Sequence, residues 1–451
     1  MTSQSPSVSD TPTIYETISN DPRFSKLAKV VNAFDDVVAF LNDSSNRVTL
    51  FAPPDSVLRR PNSSDFPAKT AARDFIEPFL AMESIVAEDM ANLVYMSGIL
   101  SVEPSEFPDE YCERADDKEQ CRKKLRFILR ALLGYHLIPT GAYKVHDLGL
   151  NLTFPTNLSI NGIFDSHPER LRIQQNIIPP RTTINFYSQI EQADLFASNG
   201  VIHVVDHPLI PPPPVFQLLY FMPHYFSTLT SALQHTGLRD KLDLVYNHDE
   251  GLRGASLVTM FAPTNRAFDR LPRKLRMFLF SPFGERALRK VLEYHIIPRA
   301  VVESDYIRHQ ECNQSCSIKE QFFQDSAGVT DMAKDFVLGK HHGKPISFVN
   351  VTLPTLLPNH TVNTLIHKTQ VKYPFPGHKH AYRVDTQITV NDHHVRVPDI
   401  VASNGAIQVI DRVLDPHLSP HHPDCPHHGY ETEEPWSNWE SWLANWAEAQ
   451  D

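Results

Sequence analysis

The segment that decides the fold is Val48-Thr-Leu-Phe-Ala-Pro-Pro-Asp-Ser-Val-Leu58, and the chain repeats it as Val258-Thr-Met-Phe-Ala-Pro-Thr-Asn-Arg-Ala-Phe268. Each copy begins with a short run of β-branched and aromatic residues, which is typical of a buried strand. The proline after this run ends the strand, and Asp55 or Asn265 then stands where it can cap a following helix. The segment therefore predicts a buried strand and a helix start at two places in the chain.

Two further segments recur in the same order. Leu133-Gly-Tyr-His-Leu-Ile-Pro139 corresponds to Leu292-Glu-Tyr-His-Ile-Ile-Pro298, and Ala197-Ser-Asn-Gly-Val-Ile-His-Val-Val-Asp206 corresponds to Ala402-Ser-Asn-Gly-Ala-Ile-Gln-Val-Ile-Asp411. Asn-Gly predicts a tight turn between strands, because both residues tolerate positive φ. Apolar residues at helical spacing lead into each Tyr-His pair. The ordered matches indicate an internal duplication of a mixed module in which helices cover a twisted sheet.

The composition is that of a globular protein outside the nucleic-acid-binding classes. The length of 451 residues allows about two to four domains, and 41% of the residues are apolar. A net charge of −11 disfavours a surface that neutralises phosphates, so we expect no nucleic-acid partner. The segment nearest to a membrane span, 79–100, contains Glu83, Glu88 and Asp89. These charges favour a buried helix there.

The three repeated motifs together resemble the motif set of fasciclin-like domains, as found in the fasciclin and periostin-like adhesion family. The matching patterns are Phe-Ala-Pro-Thr-Asn-x-Ala-Phe, Tyr-His-x-x-Pro and Asn-Gly-x-Ile-x-Val-x-Asp, and both halves of the chain carry them in order. The resemblance implies an α+β fold with two fasciclin-like domains, each a twisted β-sheet wedge covered by helices.

The resemblance and the proline run predict five parts of the chain. We expect a flexible N-terminus at 1–11, a first domain at 12–210, a stiff proline linker at 211–214, a second domain at 215–416 and a His/Trp-rich tail at 417–451. The copies differ in their insertions, since the first has extra sequence before its Tyr-His pair and the second has extra sequence after it. Long insertions lie on surfaces and often carry function.

Sequons, rather than a leader, indicate the compartment. The N-terminus has no basic start and no apolar core, so it does not read as a signal peptide. Seven Asn-x-Ser/Thr sequons exceed the chance expectation of about three, which favours a glycoprotein that is secreted or lies in the endomembrane or vacuolar lumen. The alternative is a cytosolic protein with chance sequons. The candidate glycosylation sites are Asn42, Asn62, Asn151, Asn157, Asn313, Asn350 and Asn359.

The five cysteines fit an oxidising compartment in part. Cys112 and Cys121 are close in sequence, as are Cys312 and Cys316, so each pair can close a local disulfide loop. Cys425 then remains without a partner. In a reducing compartment all five thiols would be free, so the pairing depends on the localisation.

The Tyr-His pairs suggest catalysis at first sight, but no nucleophile motif accompanies them. The family resemblance implies a largely structural role for the pair, with the histidine satisfying buried backbone groups. It also implies that adhesive members engage integrins near Tyr-His and near an Asp-Ile pair, which Pro398-Asp399-Ile400 resembles. The alternative is that Asp399 caps a turn and Ile400 belongs to the core. The candidate adhesion residues are Tyr135, His136, Tyr294, His295, Asp399 and Ile400.

The tail carries two further candidate features. Histidines and a cysteine are ligands for zinc or copper, but their spacing here matches no defined zinc module, and the alternative is a solvated tail. Four tryptophans recur at helical spacing and predict one face of a short helix, which docks by default on the protein itself and otherwise on a membrane interface or partner. The candidate metal ligands are His421, His422, Cys425, His427 and His428, and the tryptophans are Trp436, Trp439, Trp442 and Trp446.

Three functions from different classes follow from the sequence. The first is a secreted or lumenal glycoprotein that binds a protein or glycan of the matrix, cell wall or cell surface, without enzymatic activity or cofactor and with only indirect membrane association. The second is a carrier of a small hydrophobic ligand, which an apolar cavity lined by 79–100 would favour. The third is a hydrolase or metalloenzyme, which requires a histidine that meets a carboxylate or a second metal ligand in a pocket.

Overall fold

The computed structural model describes residues 11–58, 118–160, 164–177, 180–247, 251–312, 316–322, 344–372, 382–418 and 435–449. These residues form two compact units, of which the first ends at Pro211 and the second starts at Pro212, while two short segments at 151–153 and 162–165 group with the second unit. The helix predicted at 79–100 lies outside the described residues.

The first unit places helices against a seven-stranded sheet of order β2-β1-β7-β6-β5-β4-β3. Strand β1 pairs in parallel with β7 and antiparallel with β2. The helices are α1 (Ile14–Asn20), α2 (Ser25–Asn32), α3 (Asp35–Asn42) and α4 (Lys118–Tyr135). The strands are β1 (Val48–Ala52), β2 (Leu137–Ile138), β3 (Thr153–Ser159), β4 (Pro168–Ile177), β5 (Pro180–Ile184), β6 (Ser188–Ala197) and β7 (Gly200–Val205).

The second unit repeats this plan with a sheet of order β11-β10-β19-β18-β17-β16-β15, beside a three-stranded sheet β12-β13-β14 and a hairpin β8-β9. Its helices are α5 (Val215–Tyr220), α6 (Pro223–His235), α7 (Asn265–Asp269), α8 (Arg273–Leu279), α9 (Glu285–Tyr294) and α10 (Trp439–Glu448). Its strands are β8 (Leu244–Asn247), β9 (Gly251–Gly254), β10 (Val258–Pro263), β11 (Ile296–Pro298), β12 (Ala300–Val302), β13 (Tyr306–Cys312), β14 (Cys316–Phe322), β15 (Lys344–Pro354), β16 (Thr361–Lys372), β17 (Tyr382–Val390), β18 (His393–Ala402) and β19 (Gly405–Ile410).

The repeated motifs lie at the same places in both sheets. Strands β1 and β10 are buried along their whole length, as their apolar sequence predicts. Each pairs in parallel with the strand that follows Asn-Gly, and the register sets Val48 opposite Gly200 and Val258 opposite Gly405. The predicted α+β fold with a twisted sheet covered by helices is confirmed.

The prediction that Asp55 or Asn265 caps the following helix is wrong. Thr264, not Asn265, caps α7, since its hydroxyl accepts the third N–H of that helix. Asp55 accepts the N–H of Lys26 at 3.0 Å. Asn265 likewise accepts the N–H of Thr228 at 2.9 Å. Both side chains therefore join an earlier helix, α2 or α6, to the motif loop. The Lys26 N–H is one of the first-turn groups that have no partner within the helix.

Candidate functional site

His136 is buried at the end of α4 and uses both ring nitrogens. Its Nδ1 lies 2.7 Å from the Leu132 carbonyl oxygen, and its Nε2 accepts the N–H of Leu209 at 2.8 Å. Because Nε2 accepts, the proton of the neutral ring is on Nδ1, which donates to Leu132. Burial lowers the pKa of His136 to about 4. The ring is therefore neutral at physiological pH and holds a backbone segment that follows β7.

His295 repeats this arrangement in the second unit. Its Nδ1 lies 2.7 Å from the Val291 carbonyl oxygen, and its Nε2 accepts the N–H of Leu414 at 2.9 Å. Burial is the main cause that lowers its pKa to about 4. Neither ring has a nitrogen left for a substrate proton, and both lie inside the protein, with His295 fully buried.

The tyrosine of each pair binds an asparagine that sequence reasoning missed. Tyr135 Oη donates to the Arg170 carbonyl at 2.9 Å and accepts from Asn185 Nδ2 at 2.8 Å. Tyr294 Oη accepts from Asn391 Nδ2 at 2.6 Å. Both asparagines have positive φ, of 46° and 43°, in turns between strands. The available signal was an asparagine directly after a strand-forming run, since asparagine tolerates this backbone conformation.

Asp399 and Ile400, the candidate adhesion pair, are also buried. Asp399 has a φ of 57° where the register between β18 and β19 shifts, and both of its carboxylate oxygens accept the N–H of Ser304 at 3.1 Å. Asp194 has a φ of 58° at the corresponding shift between β6 and β7, and it accepts the N–H of Val145 at 2.8 Å. The two aspartates are counterparts that clamp a β-bulge, although the sequence around Asp194 matches the adhesion motif less well.

The asparagine of each Asn-Gly pair does more than form the predicted turn. The Oδ1 of Asn199 accepts the N–H of Ile14, and that of Asn404 accepts the N–H of Val215, both at 2.8 Å. These N–H groups belong to the first residues of α1 and α5. The amide groups of both side chains donate to backbone carbonyls of the same unit. Each asparagine is fully buried and joins the first helix of its unit to the central strands.

All six candidate adhesion residues are therefore buried, and the two Tyr-His pairs belong to matched networks, one in each unit. The structure brings Tyr135 and His136 together in the first unit and Tyr294 and His295 in the second. Asp399 lies in another part of the second unit, beside β12 and β19, where Gln408 donates to it at 2.9 Å. The role of these six residues in binding stays a prediction. A partner that binds at these motifs in this conformation contacts the exposed residues around them.

The candidate glycosylation sites are mostly accessible. Asn42, Asn157, Asn350 and Asn359 are exposed, and Asn151 is half-buried. Asn62 and Asn313 lie outside the described residues. Of the cysteines, Cys121 lies in α4, and the hairpin register sets Cys312 directly opposite Cys316. Cys112 and Cys425 lie outside the described residues, so both disulfides stay predictions.

The metal site predicted in the tail falls outside the structure as described. His421, His422, Cys425, His427 and His428 belong to the segment that the structure does not describe. Across the described ranges, from 11 to 449 with their gaps, no group of three or more His, Cys, Asp or Glu side chains is placed to hold a metal ion. The metal site stays a prediction.

The tryptophan tail docks on the second unit, as expected by default. Leu443 and Ala447 of α10 are buried. Lys290 of α9 donates to the carbonyls of Trp446 at 3.2 Å and Ala449 at 2.9 Å, and its ammonium lies 5.4 Å from the centre of the Trp446 ring. A cation near the C-terminal carbonyls of a helix is stabilising, and so is a cation over an aromatic face.

The helix predicted from the spacing of the tryptophans begins too early in the chain. Helix α10 begins at Trp439, while Trp436 precedes it with a φ of 66°. Trp436 is nevertheless buried, because Asp415 accepts its backbone N–H at 2.7 Å and its ring stacks on Trp442 at 6.2 Å. His417 stacks on the same Trp442 ring at 4.8 Å. Trp436, Trp442 and Trp446 thus form a compact aromatic cluster rather than one helical stripe.

An open cleft of about 540 Å³ lies in the first unit. Its lining combines apolar surface, including Pro54 and Val204, with the charged or polar side chains of Arg23, Lys26, Asp55, Glu191 and Gln192. Among the residues that the structure describes, the helices are too short or too polar to cross a lipid bilayer.

Comparisons with known proteins found a matching family profile and a matching solved structure. A profile described as "Fasciclin domain" matches residues 115–211, 224–334 and 347–416, and the last two ranges both lie in the second unit. A structure described as a FAS1 domain pair from the insect cell adhesion molecule fasciclin I covers 88% of this chain and 98% of its own, with 16% identity and a TM-score of 0.29.

One relative of known sequence matches most of this chain, and two others match only part of it. Aurofusarin biosynthesis cluster protein S of Gibberella zeae is 24% identical over 413 residues, which are 90% of this chain and 77% of that protein. Stabilin-2 of Rattus norvegicus is 23% identical over 38% of this chain and 11% of its own length. Transforming growth factor-beta-induced protein ig-h3 of Sus scrofa is 30% identical over 25% of this chain and 15% of its own length. Because the profile matches more than half of the residues, the chain belongs to the fasciclin domain family.

Proposed function

We propose that this protein is a secreted or lumenal glycoprotein that mediates adhesion or matrix or cell-wall binding through its two fasciclin-like domains, without catalytic activity of its own. Proteins with fasciclin domains include adhesion and matrix-binding proteins. The observation that carries the proposal is that both motif histidines have both ring nitrogens bound to the backbone. A general acid or base needs a nitrogen within reach of the substrate. We therefore assign the motifs a structural role and the binding function to the exposed surface.

Cell attachment to the full-length glycosylated protein tests this proposal. We expect cells to attach to a surface coated with the protein well above the level on an albumin-coated surface, since adhesive surfaces act when immobilised. The matched variants are Asp399→Asn and Asp194→Asn, which change the counterpart bulge clamps of the two units. A selective loss for Asp399→Asn at unchanged thermal stability supports the candidate motif. No attachment above albumin, with folded glycosylated protein, contradicts the adhesive role.

The exposed sequons support the glycoprotein part of the proposal. Asn42 uses its Oδ1 to accept from the Thr13 hydroxyl at 2.9 Å, which leaves its Nδ2 for a glycan. We expect glycans on Asn42, Asn157, Asn350 and Asn359 in protein from a secretory host, measured by mass spectrometry after enzymatic deglycosylation. Full-length secreted protein without any glycan at these four sites would contradict it.

A carrier of a small hydrophobic ligand is the second candidate. The specific support is that the relative from Gibberella zeae, named as a protein of the aurofusarin biosynthesis cluster, matches along 90% of this chain. Native mass spectrometry of protein from its natural source decides, because a carrier retains an extra mass that organic solvent removes. Protein that shows the apoprotein mass alone contradicts the carrier hypothesis.

A further inference from the structure

Large apolar side chains are exposed together where α8 turns into α9. Phe283 is 90% exposed, Met277 65% and Phe280 43%. Arg273, Met277 and Phe280 are spaced as i, i+4 and i+7, so they share one face of α8 and its C-terminal end. The α8–α9 surface consists of Arg273, Met277, Phe280, Phe283 and Arg286.

The turn that presents Phe283 is tightly built. The N–H of Ser281 donates to the Phe278 carbonyl at 2.9 Å, and the N–H of Gly284 donates to the Ser281 carbonyl at 3.0 Å. The backbone of Gly284 lies so close to Phe278 that a Cβ there would come within 2.0 Å of the Phe278 carbonyl oxygen. Met277 and Phe283 directly precede Phe278 and Gly284 in the chain, so their backbones lie close together.

The tail helix covers a different face of α8. Lys274 Nζ lies 3.4 Å from Glu440 Oε1, and the centres of the Phe278 and Trp439 rings are 5.8 Å apart. This side of α8 therefore faces α10. The face with Arg273 and Met277 is exposed. The tail that hides other apolar groups of the second unit therefore leaves the α8–α9 surface open.

The charge around this surface opposes the charge of the whole chain. Residues 269–293 contain seven Lys or Arg and three acidic residues, whereas the chain has a net charge of −11. Four of these cations are paired with carboxylates, namely Arg270, Lys274, Arg276 and Arg289. Arg273 and Arg286 are exposed, and neither has a hydrogen bond, ion pair or ring contact within the part of the chain that the structure describes. Their charges are available to an anionic partner.

We propose that the α8–α9 surface docks on an anionic lipid surface, with Phe283 and Met277 entering the headgroup region and Arg273 and Arg286 binding lipid phosphates or carboxylates. Apolar side chains on a firm turn with basic neighbours are what interfacial binding requires. This goes beyond the adhesive role, since it needs no protein or glycan partner, and it differs from the indirect membrane association that the sequence suggests.

Vesicle sedimentation of the full chain tests the proposal. We expect binding to phosphatidylcholine vesicles with about 30 mol% phosphatidylserine to exceed binding to pure phosphatidylcholine vesicles about tenfold, and to weaken as salt rises from about 0.1 M to about 0.5 M. Phe283→Ser should lower the binding about tenfold by removing the apolar anchor. Arg286→Gln should lower it about fivefold by removing one basic contact.

Matched controls separate the surface from general effects. Phe196→Ser removes a phenylalanine that is 57% exposed in the first unit, and Lys241→Gln removes an exposed cation elsewhere in the second, and both should leave vesicle binding unchanged. Phe283→Trp adds a reporter whose fluorescence should shift to shorter wavelength with anionic vesicles. Equal binding to both vesicle types, binding to neither, or full binding by folded Phe283→Ser protein overturns the proposal.

Discussion

The two units satisfy one hydrogen-bond pattern with different side chains at the β-bulge. In the first unit, His203 Nδ1 accepts the Asp194 N–H at 3.3 Å and Nε2 lies 3.0 Å from the Tyr143 carbonyl oxygen. In the second unit, Gln408 Oε1 accepts the Asp399 N–H at 3.0 Å and Nε2 donates to a β12 carbonyl. Imidazole and carboxamide thus offer the same acceptor and donor. At the bulge the two units share the hydrogen-bond pattern but not the residue that supplies it. At the Tyr-His pairs they share both the hydrogen bonds and the residues.

The largest expected loss comes from the glycines of the two Asn-Gly turns. A Cβ on Gly405 would lie 1.7 Å from the Val258 carbonyl oxygen, and one on Gly200 would lie 2.0 Å from that of Val48. These backbone atoms belong to the paired central strands and cannot move without shifting the sheet. We therefore expect Gly405→Ala and Gly200→Ala each to lower the free energy of unfolding of its own unit by about 3 kcal/mol or more.

Tryptophan fluorescence and hydrogen exchange assign each loss to a unit. All four tryptophans lie at 436–446, so their fluorescence follows the second unit. Gly237→Ala is the control, since its Cβ would meet nothing within 4 Å although φ is 69°. That substitution should cost only about 1 kcal/mol. A Gly405→Ala protein whose fluorescence-detected unfolding matches the original would contradict the close approach of the strands.

Acid should destabilise both units through the buried histidines. The pKa of His136 and of His295 is lowered from 6.5 to about 4 in the folded protein. The unfolded chain therefore binds these protons first, so stability is fully present above pH 6.5 and is lost as pH falls from 6.5 towards 4. The loss reaches up to about 3 kcal/mol for each histidine. Denaturant titrations at pH 7 and pH 4.5, read by fluorescence and hydrogen exchange, measure it.

The units should differ in their acid sensitivity. His203, which only the first unit has at the bulge, also has a pKa lowered by burial and adds to the loss there. In the second unit, burial lowers the pKa of His393, which adds to the loss, and raises the pKa of Asp415, so that protonation of this carboxyl in acid favours the folded state and offsets part of the loss. His295→Gln should flatten the pH dependence seen by fluorescence. If His295→Gln leaves the pH dependence of the free energy of unfolding unchanged, His295 is not the source of that dependence.

The tyrosine–asparagine contacts should contribute less to the free energy of unfolding than the buried histidines do. Their contributions should be equal in the two units. Tyr135→Phe and Tyr294→Phe each remove a buried hydroxyl that binds an asparagine side chain, at 2.8 and 2.6 Å. We expect each substitution to lower the free energy of unfolding of its unit by about 1 to 2 kcal/mol, because the asparagine donor stays without its partner. Thermal unfolding compares the pair. A loss in only one unit would show that the two networks, matched in geometry, differ in energy.

The sequence predicts local structure and family but not the partners of the motif side chains. The strand of Val48, the Asn-Gly turns and the Tyr-His positions follow from residues close in the chain. The bonds of Tyr135 to Asn185 and of Asn199 to Ile14 join distant segments, so no local pattern shows them. Helical spacing likewise cannot show that Trp436 leaves the helix, because its position is set by Asp415 and by the Trp442 ring. The exposed α8–α9 surface also emerges only when the tail helix is seen on the other face of α8.

The smallest expected effect tests the comparison of the bulges directly. If the bulge requires one acceptor and one donor, His203→Gln should change the free energy of unfolding of the first unit by less than about 1 kcal/mol at pH 7, since Gln408 fills this position in the second unit. His203→Leu keeps the volume but leaves the Asp194 N–H and the Tyr143 carbonyl without their side-chain partner, so it should cost about 2 kcal/mol. His203→Gln should also remove the contribution of this residue to acid sensitivity, bringing the first unit closer to the second. Equal losses for Gln and Leu would mean that the imidazole ring stacked on Phe51 at 5.7 Å, rather than its hydrogen bonds, stabilises the first bulge.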